Sequence, residues 1–69
     1  MRKIRYSKDA DALLVELSTE PVDYAEDSGP FIVHFSTGGL PVLLEVLEAK
    51  EFVLGALHCL VKETEATLP

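Results

Sequence analysis

Two apolar runs separated by a glycine-containing turn constrain this chain more than anything else in it. Phe31–Ser36 reads FIVHFS, Thr37-Gly38-Gly39 follows, and Leu40–Ala49 reads LPVLLEVLEA. Phe31, Val33 and Phe35 alternate with Ile32, His34 and Ser36, and on the return arm Val42, Leu44 and Val46 alternate with Leu43, Glu45 and Leu47. Period-two alternation on both sides of a Gly-Gly turn predicts a β-hairpin, with the glycines supplying positive φ angles. A strand as apolar as the second arm needs a neighbour on each edge and cover on at least one face. Pro41 lacks an N–H, so it belongs at the start of that strand or at an unpaired position.

The rest of the chain has little material for that cover. Its 69 residues allow one small domain, and a chain of this length buries only about 60% of its unfolded surface. Disulfides, a metal or oligomerisation usually supplement so small a core. Cys59 is the only cysteine, which excludes an internal disulfide, and with His34 and His58 it makes a poor metal-ligand set. Oligomerisation remains, and 48% apolar residues suit it. The single cysteine, the absence of a signal-like N-terminus and the absence of an apolar run near membrane-spanning length give the expectation of a soluble, cytoplasmic protein. Net charge is −6; Arg2, Lys3, Arg5 and Lys8 hold four of the six basic residues, and nine acidic ones lie between Asp9 and Ala49, where no Lys or Arg occurs. That distribution argues against nucleic acid, whose affinity comes from Lys and Arg displacing counterions. The basic N-terminus is read as a strand facing carboxylates on its neighbours.

Taken in order, Ile4 and Tyr6 alternate with Lys3 and Arg5, and Leu13, Val15 and Leu17 alternate with Leu14 and Glu16. These two segments form an antiparallel hairpin whose turn holds Asp9 and Asp11. Val22–Asp27 is a polar edge strand. Over residues 48–63, Phe52, Val53, Ala56, Leu57, Leu60 and Val61 recur at helical spacing, against Gly55 in the interior and no good N-cap before it. A strand would instead put Phe52, Leu54 and Ala56 on one face; length and the Ala, Leu, Lys and Glu content favour the helix. The expected fold is α+β: a small antiparallel β-sheet of four to five strands in hairpins over residues 2–48, with a C-terminal α-helix over about 50–62 packed on one face and a frayed tail over 64–69. The whole is a single small domain, 1–69. The expected core is Ile4, Tyr6, Leu13, Val15, Leu17, Phe31, Val33, Phe35, Val42, Leu44 and Val46, with Val53, Leu57 and Leu60 from the helix.

The stretches KIRYSKDADALLVEL, SGPFIVHF and LPVLLEVLEA, in that order, resemble a family of short prokaryotic proteins called domain of unknown function 2283. Its members start with a basic strand of the type KIRYD and a turn of the type PEADAL, and end with a strand of the type GIEIL-x-A. The resemblance covers most of Lys3–Ala49 and is strongest at Tyr6, Ala10, Asp11, Ala12 and Leu13. Ser7 in place of an acidic residue, Gly29-Pro30 in place of Pro-Gly, and TGGLP in place of an Asp-Gly turn depart from it. The resemblance implies a small antiparallel sheet with a helical C-terminal element and assigns no activity, cofactor or catalytic residue. It also implies, as a prior about partners, the antitoxin-like half of a two-gene module.

Three constellations bear on chemistry. His34 can meet Glu45 across the hairpin, and with Glu16 and Arg5 it forms a candidate polar face; a carboxylate beside a histidine orients the ring for general-base work, but no nucleophile or oxyanion donor accompanies it. His58 and Cys59 are adjacent and point about 100° apart on a helix, too far for a shared metal. Asp9-x-Asp11 lacks the further oxygens of a calcium loop, and turn capping accounts for it. No cofactor and no metal is expected. Leu43 and Leu47, opposite the core set, and Phe52, Ala56 and Cys59, off the main helix stripe, are the candidate oligomer interface. The function expected is a non-enzymatic protein-interaction module that homodimerises and binds a basic protein partner. The competing expectation is a small hydrolase or lyase with a site completed across a dimer near His34 or His58.

Overall fold

The computed structural model describes residues 3–63. Five strands and one helix follow one another: β1 (Ile4–Ser7), β2 (Ala12–Glu16), β3 (Tyr24–Ser28), β4 (Phe31–Phe35), β5 (Pro41–Leu47) and α1 (Ala49–Lys62). The strands form a single antiparallel sheet in the order β1-β2-β5-β4-β3. The longest and most apolar strand, β5, is central, with β2 on one edge and β4 on the other. The expected α+β fold, a small antiparallel sheet followed by a C-terminal helix, is the one observed. The expected fraying of 64–69 and the placing of Arg2 in the first strand lie outside the described residues.

Register sorts the side chains onto two faces. Ile4 pairs with Val15 and Tyr6 with Leu13; Leu13 pairs in turn with Val46, and Val15 with Leu44. Phe31 pairs with Val46 and Val33 with Leu44, and Glu26 pairs with Val33. These residues make one face that is apolar from β1 to β4, with Glu26 as the one charged side chain its strands carry. The other face holds Arg5, Leu14, Glu45, Ile32 and Asp27 in one row across the sheet. Beside them Glu16, Leu43, His34 and Ala25 form the next row.

The β4–β5 connection departs from the tight turn that Gly38-Gly39 suggests. Only Gly39 has positive φ, at 84°. The loop closes through Ser36, whose N–H donates to the Leu40 carbonyl (2.9 Å) and whose Oγ accepts from the Leu40 N–H (3.3 Å). His34 pairs with Leu43 but Phe35 with Pro41, so Val42 is the extra residue of a bulge. Its carbonyl accepts from the N–H groups of both Leu17 and Ser18, which ties the β2–β3 crossover to the central strand. Pro41 opens β5, where its missing donor costs no ladder bond. β3 lies at the outer edge, as the polarity of Val22–Asp27 predicts, with Tyr24 stacked on Phe35 at 5.1 Å between centroids.

The helix differs from expectation in which side it turns inward. Phe52 meets Phe31 edge-on at 5.5 Å, and Ala49 is buried. Val53, Leu57 and Leu60, expected in the core, are open to solvent, Leu57 at 50% and Leu60 at 75% exposure. Ile4, also expected inside, is 72% exposed because β1 is an edge strand that nothing covers. Val22 and Tyr24 are exposed as well. The helix starts one residue after β5 and continues past the sheet: the molecule measures 39 × 23 × 23 Å, whereas a seven-residue strand spans about 23 Å. Its radius of gyration is 13.4 Å, against roughly 11 Å for a compact chain of this length.

Candidate functional site

On the polar face, β4 and β5 place His34 and Glu45 diagonally across the ladder, and His34 Nε2 lies 2.6 Å from Glu45 Oε1. Both side chains are about three-quarters covered, at 21% and 25% exposure. Glu16 stands in the His34 row with Leu43 between them, and Arg5 stands in the Glu45 row with Leu14 between them. The hydrogen bonds among the described residues bring neither to the pair, so the four residues share a face without forming one cluster. The pair contains a group able to accept or donate a proton and a carboxylate to orient it. Among the described residues no hydroxyl or thiol is bonded to it: Ser36 spends its Oγ on the Leu40 N–H, and Cys59 and His58 are on α1. Among the described residues no three His, Cys, Asp or Glu side chains stand close enough to hold a metal.

Among the described residues the best-connected polar side chain is that of Asp11, in the β1–β2 turn. Its carbonyl accepts from the Ala49 N–H (2.9 Å), and its Oδ1 accepts from the Lys50 N–H (3.1 Å) and from the Tyr6 hydroxyl (2.8 Å). Glu48 precedes α1 without capping it through its side chain. Asp11 therefore does the work of an N-cap from the adjacent β1–β2 turn, beside the end of β5, placing a carboxylate where the helix dipole favours one. The bond to Asp11 raises the Tyr6 pKa above its ordinary 10.0, and desolvation and the Asp11 charge act in the same direction.

What most distinguishes the molecule is how little it buries. Among the described residues, Ala12, Val42, Val46 and Ala49 are the buried apolar ones, and no large side chain is fully buried. Val15, Val33 and Leu44, in the middle of the apolar face, are only partly covered. On α1, Leu54 (66%), Leu57, Leu60 and Val61 (77%) face solvent. A groove of ≈ 470 Å³ lined by Tyr6, Leu13, Ala49, Lys50, Val53 and Leu54 runs between the two surfaces. The chain exposes 5387 Å², and a compact monomer of its mass exposes roughly 4,300 Å². The candidate site is this paired apolar surface.

A family model described as Protein of unknown function (DUF2283) matches residues 3–50. The chain belongs to this family. The segment shared with DUF2283 contains all five strands and stops at Lys50, the second residue of α1. Asp11 and Tyr6 lie within it, and all but the first two residues of the helix lie beyond. No curated protein and no solved structure matches the chain.

The structure separates the five residues of the expected interface. Leu43 and Leu47 are half-buried on the polar face, Phe52 is used within the chain against Phe31, Ala56 is exposed and Cys59 is half-buried. Sequence reasoning did not foresee that the apolar sheet face stays open, or that Asp11 starts the helix. Asp11 carried one signal, a short-side-chain acid in a turn, but nothing in the sequence connects it with a helix 39 residues downstream.

Proposed function

We infer that this member of DUF2283 is a non-enzymatic protein-interaction module that works as a homodimer. The observation that carries the reading is a chain with 48% apolar residues and, among the described residues, no fully buried large side chain. Surface of that extent on a small domain marks an interface.

Charge supports a second, basic protein partner, as in the antitoxin-like arrangement. Asp23, Glu26 and Asp27 are exposed at or beside the outermost strand, and opposite charge steers association. A cytoplasmic setting fits the lone cysteine, Cys59. The competing reading, a small hydrolase or lyase, draws on the 2.6 Å His34–Glu45 contact. It requires a nucleophile or activated water from elsewhere. Light scattering at micromolar concentration tests the module reading: a dimer is expected, and a stable, folded monomer overturns it. Loss of a turnover activity in His34→Ala with the dimer intact would move the assignment to the enzyme.

A further inference from the structure

We propose that the dimer is a reciprocal exchange in which α1 of each copy lies across the apolar sheet face of the other. The proposal rests on the homodimer reading and specifies its interface. Both halves of the contact are on one chain, so a second copy supplies each missing half, and a two-fold axis closes the pair without leaving a free site.

The helix has the right shape for this. At 100° per residue, Ala49 and Phe52 fall on the side turned toward the chain's own sheet, while His58, Glu51 and Lys62 fall on one narrow polar strip. Between them lies a stripe of Leu54, Leu57, Leu60 and Val61, all at least half exposed. Within the chain that stripe meets nothing comparable, because Asp11 and Phe31 hold only the first turn of α1. Fourteen residues make a helix about 21 Å long. Five strands at their usual spacing make a sheet about 19 Å wide. One helix thus spans one sheet.

The sheet face is suited to receive it. Its own helix covers only the end row near Tyr6, Leu13, Val46 and Phe31, and the row of Val15, Leu44 and Val33 is left partly covered. Charge does not oppose the contact despite a net charge of −6. Among the described residues Glu26, at the sheet edge, is the one charge on that face; on the helix Glu51 and Lys62 keep to the polar strip, and Lys50, the one charge within the arc of the stripe, sits in the first turn, at the end that Asp11 holds. The opposite face makes a poorer receptor, because Arg5, Glu16, Glu45, His34 and Asp27 would have to be desolvated.

The test uses full chains carrying Cys59→Ala so that introduced cysteines are the only ones. One chain also carries Leu44→Cys on the sheet face and the other Leu57→Cys on the helix stripe; the two are refolded together and mildly oxidised. The expected product is a covalent heterodimer joined between positions 44 and 57, with little product from either chain alone. A 44–44 link from the first chain alone shows two sheet faces packed together, and a 57–57 link from the second shows helix against helix. Either one as the main product overturns the exchange. Leu60→Glu, at a position 75% exposed within the chain, adds an independent measure: loss of the dimer is expected, and an unchanged dimer overturns the proposal. Light scattering of the unmodified chain separates the two levels. A monomer there brings down the homodimer reading itself, whereas a dimer without the 44–57 link brings down only the placement of the helix.

Discussion

Replacing Asp11 tests the connection between sheet and helix most directly. The residue has three tasks that different substitutions separate. Its Oδ1 accepts from the Lys50 N–H and the Tyr6 hydroxyl, its charge faces a helix N-terminus, and its backbone sits at φ 49°, in the left-handed region. Asn tolerates that backbone and keeps an acceptor oxygen, so Asp11→Asn removes only the charge, at a cost of about 0.3–1 kcal/mol. Ala loses the cap, about 1 kcal/mol, and adds left-handed strain of about 1 kcal/mol, so Asp11→Ala is expected to cost about 2 kcal/mol. Gly loses the cap but relieves the strain and should fall between them. A domain of this size has on the order of 3–10 kcal/mol in total, so the Ala variant removes a substantial share. Urea unfolding followed by circular dichroism, at one fixed protein concentration because association contributes to stability, gives the ordering. If Asn and Ala cost the same few tenths of a kcal/mol, Asp11 does not cap α1 and the reasoning fails.

The same bond gives a titration. Tyr6 ionises above its ordinary pKa because the neutral hydroxyl donates to Asp11. The stabilisation from this bond is therefore fully present below pH 10 and is lost as pH rises through the folded-state value, and Asp11→Ala should bring the tyrosinate absorbance midpoint back toward 10.0. A Cβ at Gly55 meets nothing within 4 Å, so Gly55→Ala should stabilise by about 0.5–1 kcal/mol in urea unfolding through helix propensity alone. Gly39→Ala should destabilise by about 1 kcal/mol in the same assay, through positive φ and not through crowding, since Tyr24 Oη stands at an ordinary 3.8 Å from the new Cβ. A double-mutant cycle with His34→Gln and Glu45→Gln should give a coupling below about 1 kcal/mol that shrinks with salt, because both side chains keep partial solvent contact.

Local alternation made the strands legible. Ile4 and Tyr6 against Leu13 and Val15, and Phe31 and Val33 against Leu44 and Val46, are pairs in which period two and a nearby turn agree. The diagonal meeting of His34 and Glu45 follows from the same register. Relations that depend on distant chain were not legible. Pairing of β2 with β5 and capping of α1 by Asp11 join segments that no local signal connects. The helix posed a different difficulty: with apolar residues round most of its circumference, the pattern does not say which side turns inward, and the Phe31 ring decides it by meeting Phe52. The two glycines of Thr37-Gly38-Gly39 suggested two positive φ angles, but Ser36 closes the loop with its side chain and leaves only Gly39 needing one.

Glu48 is the single residue between β5 and α1, and it holds left-handed angles, φ 52° and ψ 47°, that glycine would adopt without cost. The direction of a helix about 21 Å long is thus set by one pair of dihedrals together with the Asp11 and Phe31 contacts to its first turn, and a rotation of about 10° at Glu48 carries the helix tip by about 4 Å. A glycine at this point would relax the backbone and at the same time free the lever. The glutamate, although strained, gives the joint a stop. How α1 is aimed, and so what it can reach, depends on that stop as much as on the leucines it carries.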